Sequence, residues 1–290
     1  MKISGAAIIR NGVKFGYPFV ESIKSVLPLC DEFIVGVGDS DDGTRGKIEE
    51  IGDPKIRILD TKWDMTKRSG GLVLSEQTNL ALKECAGDWI FYMQSDEAAD
   101  ESEFEKLKAF ITLCDGREDI DGIAFDYVHF YGSYFTVQAG RNWYGREVRL
   151  IKNRRGILSH GDAQGFRRNG KKIKAAACGA HIYHYGWARP PEVMAEKVKA
   201  FHMLWHDDRW IDNNCSGKEV REFFPDLGNL AEFSGSHPKA MSRLVNRASE
   251  GFIRQCKQEY MKNRTLRQSV KDFSRRLLCG SHLNFKLKKI

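Results

Sequence analysis

Two short acidic segments follow two apolar runs in the first hundred residues. Asp39 and Asp42 come directly after the run EFIVGVG, and Asp96 and Glu97 come soon after the run WIFYM. In an open α/β sheet, ligands bind outside the carboxyl ends of the strands. If both runs are strands of one parallel sheet, the carboxylates of both segments face one crevice. Carboxylate oxygens in such a crevice are suited to hold a divalent cation beside phosphate oxygens.

The elements that must position these carboxylates alternate between strand and helix, which is typical of a largely parallel sheet. Apolar residues recur at helical spacing from Phe19 to Leu27, and a second helix should start near Thr44. In a third helix, Ser75 is the expected N-cap and Gly87 the expected stop. The predicted strands of this half are SGAAIIRNG, DEFIVGVG, KIRILDTKW and DWIFYM.

Beyond residue 120 the pattern changes to strands with aromatic alternation. The segments IDGIAFDYVHFYGSYF, REVRLIKN and HIYHYGW predict an antiparallel addition to the sheet. The segment EVMAEKVKAFHMLWH predicts an amphipathic helix, with a stripe of apolar residues from Met194 to Trp205. We therefore expect an α/β domain over residues 1–190 and a helical, basic extension over residues 191–290.

Composition limits the class of protein. Of the 290 residues, 41% are hydrophobic and 29% charged, which is the balance of a folded globular chain. No apolar run approaches the roughly 20 residues that span a bilayer, and the N-terminus predicts a core strand rather than a signal peptide. We expect a cytoplasmic protein. The seven cysteines are scattered without a Cys-x-x-Cys pair, which argues against a disulfide framework, and Cys85 is expected in the core.

The net charge of +7 is concentrated near the C-terminus. Residues 243–290 contain 13 Lys and Arg against three acidic residues, a local charge of +10. Such a segment could meet anionic lipid or an acidic acceptor, or it could be a solvated helical face. Because aromatic residues for base stacking are not regularly interleaved with the basic ones, we expect no nucleic acid partner. We do expect peripheral contact with the inner face of an anionic membrane.

The segments GAAIIRNG, VGDSDDGT and SEQTNLALKECAGDWIFYMQSDE together resemble the ordered signature of family 2 glycosyltransferases, which have the GT-A fold. The resemblance covers residues 1–100 well and extends more loosely to residue 190. The later segments REVRLIKN and IYHYGW resemble accessory strands of bacterial members that build surface polysaccharide or lipopolysaccharide core. The resemblance implies a GT-A-like α/β fold and an inverting transferase. Such an enzyme moves a sugar from a nucleotide-sugar to a glycan or lipid-linked acceptor.

The family uses an Asp-x-Asp motif to hold a divalent cation and to touch the ribose. The matching stretch here is Gln94-Ser95-Asp96, so the first acid is replaced by an amide. The resemblance implies that Gln94 and Ser95 contact the donor and that Asp96 is a catalytic residue and the ligand of Mn²⁺ or Mg²⁺. Glu97 is a possible helper of Asp96. The alternative is that Asp96 and Glu97 only cap the following helix.

The segment VGDSDDGT resembles the family's nucleotide-binding loop, in which Ser40 and residues 42–44 match. In the family, an acidic residue of this loop contacts the base of the nucleotide. The matching position here is 37 or 38, where this chain has no acidic residue, so Asp39 is the candidate for that contact. The alternative is a capped turn in which Asp42 and Thr44 bond only to the backbone. The remaining donor-binding candidates are Arg10 and Asn11 beneath the nucleotide, Asn79 on a helix, and Arg68, which either reaches a phosphate or is a solvated loop cation. Asn79 could equally be a buried hydrogen-bonding residue.

An inverting transfer requires a general base on the acceptor side. The resemblance implies Asp162 in ILSHGDAQGF as the best candidate, since related proteins often place an acid after their RL-containing strand, and Asp126 is the second. His184 in HIYHYGW lies where several GT-A enzymes bring in a late histidine as a metal ligand, and imidazole would favour Mn²⁺. The alternative is a structural histidine. His181 and His184 are not expected to form a zinc site, since residues three apart on a strand point to opposite faces.

Two other functions fit parts of the sequence. The first alternative is a non-catalytic binding module on the same fold. It is suggested by Gln94 and by the absence of the acidic residue that would contact the nucleotide base. A nucleotidyltransferase would also use a carboxylate-bound metal. It ranks lower because no Gly-x-Gly loop follows the first strand to cradle a triphosphate.

Overall fold

The central strand β1 (Ile3–Ile9) is buried along its whole length in a computed structural model of the chain. The structure describes residues 1–67, 69–140, 143–154, 156–224, 227–248, 251–277 and 283–290. The other strands are β2 (Glu32–Val37), β3 (Ile56–Asp60), β4 (Trp89–Met93), β5 (Glu97–Ala99), β6 (Gly122–Tyr131), β7 (Thr136–Gln138), β8 (Arg146–Lys152), β9 (Ile157–His160), β10 (Gly165–Arg168), β11 (Lys171–Lys172), β12 (Lys174–Trp187), β13 (Leu230–Glu232) and β14 (Lys286–Lys288). The helices are α1 (Phe19–Val26), α2 (Thr44–Glu49), α3 (Leu72–Lys83), α4 (Phe104–Asp115), α5 (Pro191–His202), α6 (Asp208–Cys215), α7 (Ser242–Val245), α8 (Gly251–Asn263) and α9 (Leu266–Leu277).

Parallel strands make up the first half of the main sheet, in the order β3, β2, β1 and β4. β1 pairs with β2 as far as Ile9 opposite Val37, and its other edge pairs with β4 as far as Ala7 opposite Met93. Because these strands run in the same direction, the loops that follow Ile9, Val37 and Met93 leave the sheet at one edge. The two acidic segments therefore lie at the same edge, as the sequence predicts.

The second half of the sheet mixes strand directions. β8 runs antiparallel to both β4 and β6, and β7 and β13 continue antiparallel from β6. β12 is parallel to β6, with His184 opposite His129 and a register irregularity on either side of that pair. β5 and β14 border β12, while β9, β10 and β11 form a small separate sheet. The predicted GT-A-like α/β class, mostly parallel with an antiparallel addition, is confirmed.

Helices cover both faces of the sheet, which explains why its strands are nearly continuous apolar runs. One core cluster joins α1 and α4 to the sheet and includes Ile23, Ile111 and Phe91. The cluster on the opposite face joins α3 to the sheet and includes Leu82 and Ile90. Each such side chain contributes roughly 1.5–3 kcal/mol when it is fully buried. The sheet edge is thereby held rigidly from both sides.

The C-terminal helices predicted from the sequence are present. A third cluster of buried residues packs around Tyr131 at the end of β6. It includes Met194 of α5, Ile253 of α8, and Phe224, which precedes β13. The division into domains at residue 190 stays a prediction. Within the described part of the chain, no helix is both long and apolar enough to cross a membrane.

Some local predictions need correction. α3 starts at Leu72, three residues before the expected N-cap, and the Ser75 hydroxyl donates to the Leu72 carbonyl from inside the helix. The residue before the helix is Gly71 in the left-handed conformation, with φ +69°. Cys85 is buried, as predicted, and the described cysteines are free. Cys279 lies outside the described residues.

Candidate active site

A cavity of about 820 Å³ opens at the sheet edge where β1 and β4 end. Its wall includes most of the site residues predicted from the sequence: Arg10, Asn11, Gln94, Ser95, Asp96, Asp162 and His184. The segment from Glu196 to Leu204, which is the C-terminal part of α5 and the turn after it, lines the other side. The Gly71 amide donates to the Leu204 carbonyl at 3.3 Å, which ties this segment to the start of α3.

Asp96 follows β4 and is almost completely buried, with 8% of its surface exposed. Its main-chain carbonyl accepts a hydrogen bond from the Tyr185 amide at 2.7 Å. Burial by itself would raise the pKa of this carboxyl. The neighbouring groups His184, Lys197 and Arg189 outweigh burial and hold the pKa of Asp96 below its usual value. Asp96 is therefore a carboxylate at neutral pH.

His184 stands beside Asp96, with 3.8 Å between its Nε2 and Asp96 Oδ1. Behind it, His184 Nδ1 lies 3.0 Å from His129 Nδ1, and His129 Nε2 lies 2.7 Å from the Tyr144 carbonyl oxygen. A carbonyl only accepts, so His129 Nε2 carries a proton and donates. Burial lowers the pKa of His129 to about 3, which keeps this ring neutral and makes its Nδ1 an acceptor.

This hydrogen-bond chain determines the tautomer of His184. Since His129 Nδ1 accepts, His184 Nδ1 must carry the proton and donate. Burial also lowers the pKa of His184, so the ring is neutral and its Nε2 keeps a lone pair. That lone pair is on the nitrogen beside Asp96. In a metal-binding histidine, the ring nitrogen that does not bind the metal usually donates a hydrogen bond, which fixes the ring.

Gly186 makes room for this pair. A Cβ at this position would lie 2.4 Å from His184 Nε2 and 3.0 Å from Asp96 Oδ2. Any other residue would push the two groups apart. Gly186 was not predicted from the sequence, although it lies in the HIYHYGW segment.

Arg189 is a further residue that the sequence analysis missed. Its side chain is 2% exposed, and its Nη2 lies 3.6 Å from Asp96 Oδ2. Nη1 donates to the Phe15 carbonyl at 2.9 Å, and the guanidinium stacks 4.4 Å from the centre of the Tyr17 ring. Within the described residues, Nε and Nη2 have no hydrogen-bond partner. Unused donors on a buried cation are costly unless a ligand, such as an anion, accepts from them.

Lys197 of α5 brings a positive charge to the cavity wall, whereas Arg189 lies beside Asp96 and is not among the residues that line the cavity. Its Nζ donates to the Gly186 carbonyl at 3.2 Å and lies over the Trp187 and Phe201 rings, 5.6 and 5.8 Å from their centres. Burial lowers the pKa of Lys197 to about 8, with Arg189 acting in the same direction and Asp96 opposing it. Lys197 is therefore a cation at neutral pH that loses its proton under mildly basic conditions.

Asp162 is half-buried in the cavity wall, beside the start of α3. A Cβ at Gly71 would lie 2.9 Å from the Asp162 Cβ, so this close approach also requires glycine. Among the described residues, the one hydrogen bond to the Asp162 carboxylate is a long one, 3.3 Å from the Gln164 amide to Oδ1. The second candidate base, Asp126, is paired with Arg146 and does not line the cavity.

Glu97 has a different environment from its neighbour Asp96. Both of its oxygens accept from Arg149, at 2.7 and 2.8 Å, and the pair is fully buried. Tyr127 donates to Glu97 at 2.8 Å, and the Gln94 amide donates at 3.1 Å. Through these buried bonds, Glu97 holds the loop after β4 in place. The helical turn that follows is capped by Asp100 rather than by Asp96 or Glu97, so the capping alternative is wrong.

The loop after β2 is fastened by Asp42. Its Oδ2 accepts from the Lys14 amide at 2.7 Å, and its Oδ1 accepts from the amide and hydroxyl of Thr44 at 3.1 and 2.6 Å. The Thr44 hydroxyl oxygen also accepts from the Gly12 amide at 2.8 Å. Asp42 is not among the residues that line the cavity. The structure places it in the capped turn that the sequence left open as an alternative.

The nucleotide-side candidates lie close to each other around Arg10. Its Nε donates to Asp39 Oδ1 at 3.1 Å, and Asp39 also accepts from the Trp63 amide at 3.3 Å. Asn11 has φ +52°, and its amide donates to the Ser40 hydroxyl at 2.9 Å. Within the described residues, Asn11 Oδ1 and Trp63 Nε1 are buried without a partner. One acceptor and one donor are thus free for a ligand in the cavity.

Other candidates are bonded to the chain or lie elsewhere. Gln94 Nε2 donates a long bond of 3.4 Å to the Ala163 carbonyl, and the Ser95 hydroxyl donates to the Ile8 carbonyl. Asn79 exchanges hydrogen bonds with the backbone of Ser159, at 2.8 and 3.1 Å, and lies outside the cavity. Arg68 lies outside the described residues. His202 and His206 lie against Trp210, and no group of three or more His, Cys, Asp or Glu side chains in the described ranges could hold a metal ion.

Residues 15–169 match the family model described as "Glycosyl transferase family 2". No curated protein matched the chain. Among solved structures, S. aureus TarS 1-349 is similar at 15% identity and a TM-score of 0.40, over 96% of this chain and 79% of that one. M. tuberculosis glucosyl-3-phosphoglycerate synthase in complex with Mn²⁺, uridine-diphosphate and phosphoglyceric acid is similar at 15% identity and a TM-score of 0.40, over 71% of this chain and 80% of that one.

Proposed function

The chain belongs to glycosyl transferase family 2, since the family model matches more than half of it, and we propose that it is an inverting enzyme. The donor is a nucleotide-sugar and the acceptor is a hydroxyl of a glycan or lipid-linked molecule. The bacterial surface-polysaccharide role and the cytoplasmic location expected from the sequence belong to the same proposal. The observation that carries the proposal is the pairing of Asp96 with the Nε2 lone pair of His184 at the cavity.

The residues present fit a divalent cation. Asp96 offers a carboxylate and His184 offers a neutral imidazole whose free nitrogen lies 3.8 Å from Asp96 Oδ1. Gly186 leaves the space in front of both groups open. The nitrogen ligand favours Mn²⁺ over Mg²⁺. When bound, the cation would neutralise charge that develops on the diphosphate leaving group.

The chain's own cations would bind the diphosphate next to this pair. Arg189 presents donors that have no partner within the described residues, and Lys197 carries a positive charge below pH 8. Anionic oxygens would satisfy the Arg189 donors and offset the cost of its burial. Asn11 and Trp63, with one free acceptor and one free donor, would hold the nucleoside, and Asp39 would reach the base.

Asp162 would act as the general base. Its carboxylate lines the cavity and accepts one long bond from the described part of the chain, so an acceptor hydroxyl can approach it. Removal of the hydroxyl proton by Asp162 would prepare the oxygen for attack on the anomeric carbon from the face opposite the diphosphate. The anomeric configuration would be inverted. Trp143, Trp187 and Phe201 offer flat apolar surface in the same cavity for the acceptor.

A binding experiment tests the donor class. The melting temperature of the full chain would be measured with a panel of nucleoside diphosphates and their sugars, with and without Mn²⁺. A ligand that binds the folded state raises this temperature. We expect one nucleoside diphosphate to raise it, with a larger rise when Mn²⁺ is present. If no nucleotide changes the transition, the proposed donor site is wrong.

A second experiment tests catalysis. Asp162→Asn should lower the rate of transfer by about 10²–10⁴-fold and leave nucleotide binding unchanged, because only proton removal is lost. Asp126→Asn is the matched control, since Asp126 pairs with Arg146 away from the cavity. Equal loss in both variants would refute Asp162 as the base. Metal-independent nucleotide binding without product for any acceptor would favour a binding module instead.

A further inference from the structure

The last described helix, α9, carries an exposed apolar stripe made of Leu266, Val270 and Phe273. Their exposed fractions are 82%, 60% and 64%, whereas side chains of this kind are normally buried. The spacing i, i+4 and i+7 places them within about 60° of the helix circumference at 100° per residue. The stripe is therefore one continuous surface and not a scatter of single residues.

The stripe does not arise from a poorly formed helix. α9 begins with a capping box: the Thr265 hydroxyl accepts from the Gln268 amide at 3.2 Å, and the Gln268 side chain accepts from the Thr265 amide at 2.6 Å. The opposite side of α9 is anchored through Asp272, which is 7% exposed. Tyr260 of α8 donates to Asp272 at 2.9 Å. With this side held against the protein, the stripe must point outward.

Basic residues lie on one flank of the stripe. Arg267 and Lys271 follow its first two members by one position and are exposed. They belong to the segment 243–290, whose 13 basic and three acidic residues give it a local charge of +10. A helix with an apolar face and a basic border is the type that lies in the interface of an anionic membrane.

We propose that α9 docks the protein on an anionic lipid surface, with the stripe among the acyl chains and Arg267 and Lys271 at the headgroups. Charge decides between this occupant and a second copy of the chain, because two copies would bring equally basic surfaces together. An anionic surface instead attracts them. None of these side chains lines the cavity, so the inference is independent of the transfer reaction.

Sedimentation with lipid vesicles tests the proposal on the full chain. We expect binding to vesicles that contain phosphatidylglycerol, little binding to pure phosphatidylcholine, and weaker binding as salt is added. Leu266→Gln with Phe273→Gln should lower the partition coefficient at least about tenfold, since two apolar side chains lose their burial in the bilayer. Arg267→Gln with Lys271→Gln should lower it roughly 30-fold, since each basic residue contributes about fivefold near an anionic surface.

Leu113→Gln is the matched control, because Leu113 is 55% exposed on a different helix, α4. It should bind as the unmodified protein does. All variants alter exposed side chains and should keep the original melting temperature, which separates lost docking from lost folding. Equal binding to both vesicle types, or unchanged binding of the stripe variant, would overturn the proposal. So would a concentration-dependent dimer, seen by light scattering, that the stripe variant abolishes.

Discussion

The two acidic loops at the cavity edge differ in what uses their carboxylates. In the loop after β2, both oxygens of Asp42 accept hydrogen bonds, from the Lys14 amide in the loop after β1 and from Thr44 at the start of α2. In the loop after β4, Arg189 Nη2 and the neutral His184 Nε2 lie 3.6 and 3.8 Å from the Asp96 carboxylate, beyond hydrogen-bond distance. Both carboxyls have a lowered pKa, but only Asp96 keeps its oxygens available to a ligand.

An acidic loop can bind a ligand only where the chain's own donors leave a carboxylate free, and the loop after β4 meets that condition. In the loop after β4, the two neighbouring carboxylates have different roles. Glu97 takes the bonds that hold the loop, from Arg149, Tyr127 and the Gln94 amide. Asp96 is then free to face the cavity. In the loop after β2, Asp42 itself accepts the hydrogen bonds that hold the loop.

Glu97→Gln should have the largest effect and should act on stability. The substitution leaves the Arg149 guanidinium fully buried without a charged partner. Breaking a buried ion pair in this way costs about 3–5 kcal/mol of the free energy of unfolding. Urea unfolding would measure the loss. Glu84→Gln is the control, since it removes an exposed pair with Arg57 and should cost no more than about 1 kcal/mol; similar losses in both would show that Glu97 does not hold the loop.

Asp96→Asn should act mainly on activity, although the buried Arg189 then loses a neighbouring carboxylate. Loss of the charge that faces the cavity should lower the rate of transfer about 10²–10³-fold, the range found when one preorganised electrostatic contact is removed. The Mn²⁺-dependent rise of the melting temperature with nucleotide should also disappear. Asp42→Ala should behave in the opposite way, with a stability loss of about 0.5–2 kcal/mol and normal turnover per folded molecule. An inactive, fully stable Asp42→Ala would refute the contrast between the loops.

His129→Leu should weaken metal binding without removing a ligand. The substitution deletes the acceptor that keeps the proton on His184 Nδ1, so the ring loses its fixed tautomer and orientation. The affinity for Mn²⁺ should fall about 10–100-fold, the usual cost of losing an outer partner of a ligand. Titration of Mn²⁺ by calorimetry in the presence of nucleotide would measure it. His181→Gln, which alters a histidine bonded to Glu103, should leave the affinity unchanged.

Asp162 was predicted through the family resemblance, and its place at the cavity depends on the packing of the turn between β9 and β10 against Gly71. Asp96 was predictable from the sequence because its position depends mainly on local chain order. A loop that follows a buried strand such as β4 must leave at the carboxyl end of the sheet, whatever the rest of the fold does. The capped turn at Asp42 was also foreseeable as an alternative, since its partner Thr44 is two residues away. Their catalytic and binding roles remain proposals.

His129 and Arg189 could not be found in the same way. His129 meets His184 only because β6 and β12, more than 50 residues apart, pair in one register, and that register is irregular on both sides of the pair. Arg189 matters because it is buried, and a lone arginine after HIYHYGW gives no sign of burial. The placement of Asn79 also depended on a distant strand, since its partner is Ser159.

Lys197 should give an effect that is seen only as a change of stability with pH and that depends on its burial beside the Asp96 loop. Its pKa of about 8 lies below the ordinary 10.5, so between these values the unfolded chain binds more protons than the folded one. The free energy of unfolding should therefore rise with pH across this window relative to Lys197→Met, by at most about 1.4 kcal/mol per pH unit. Below pH 8 the full cost of burying the charge remains, while nucleotide affinity should be highest there because the cation is present. Melting temperatures from pH 7 to about pH 10 would show this, with Lys199→Met of the same helix as control. If the difference in melting temperature between the unmodified protein and Lys197→Met does not change with pH, Lys197 is solvated. The positive charge beside Asp96 would then come from Arg189.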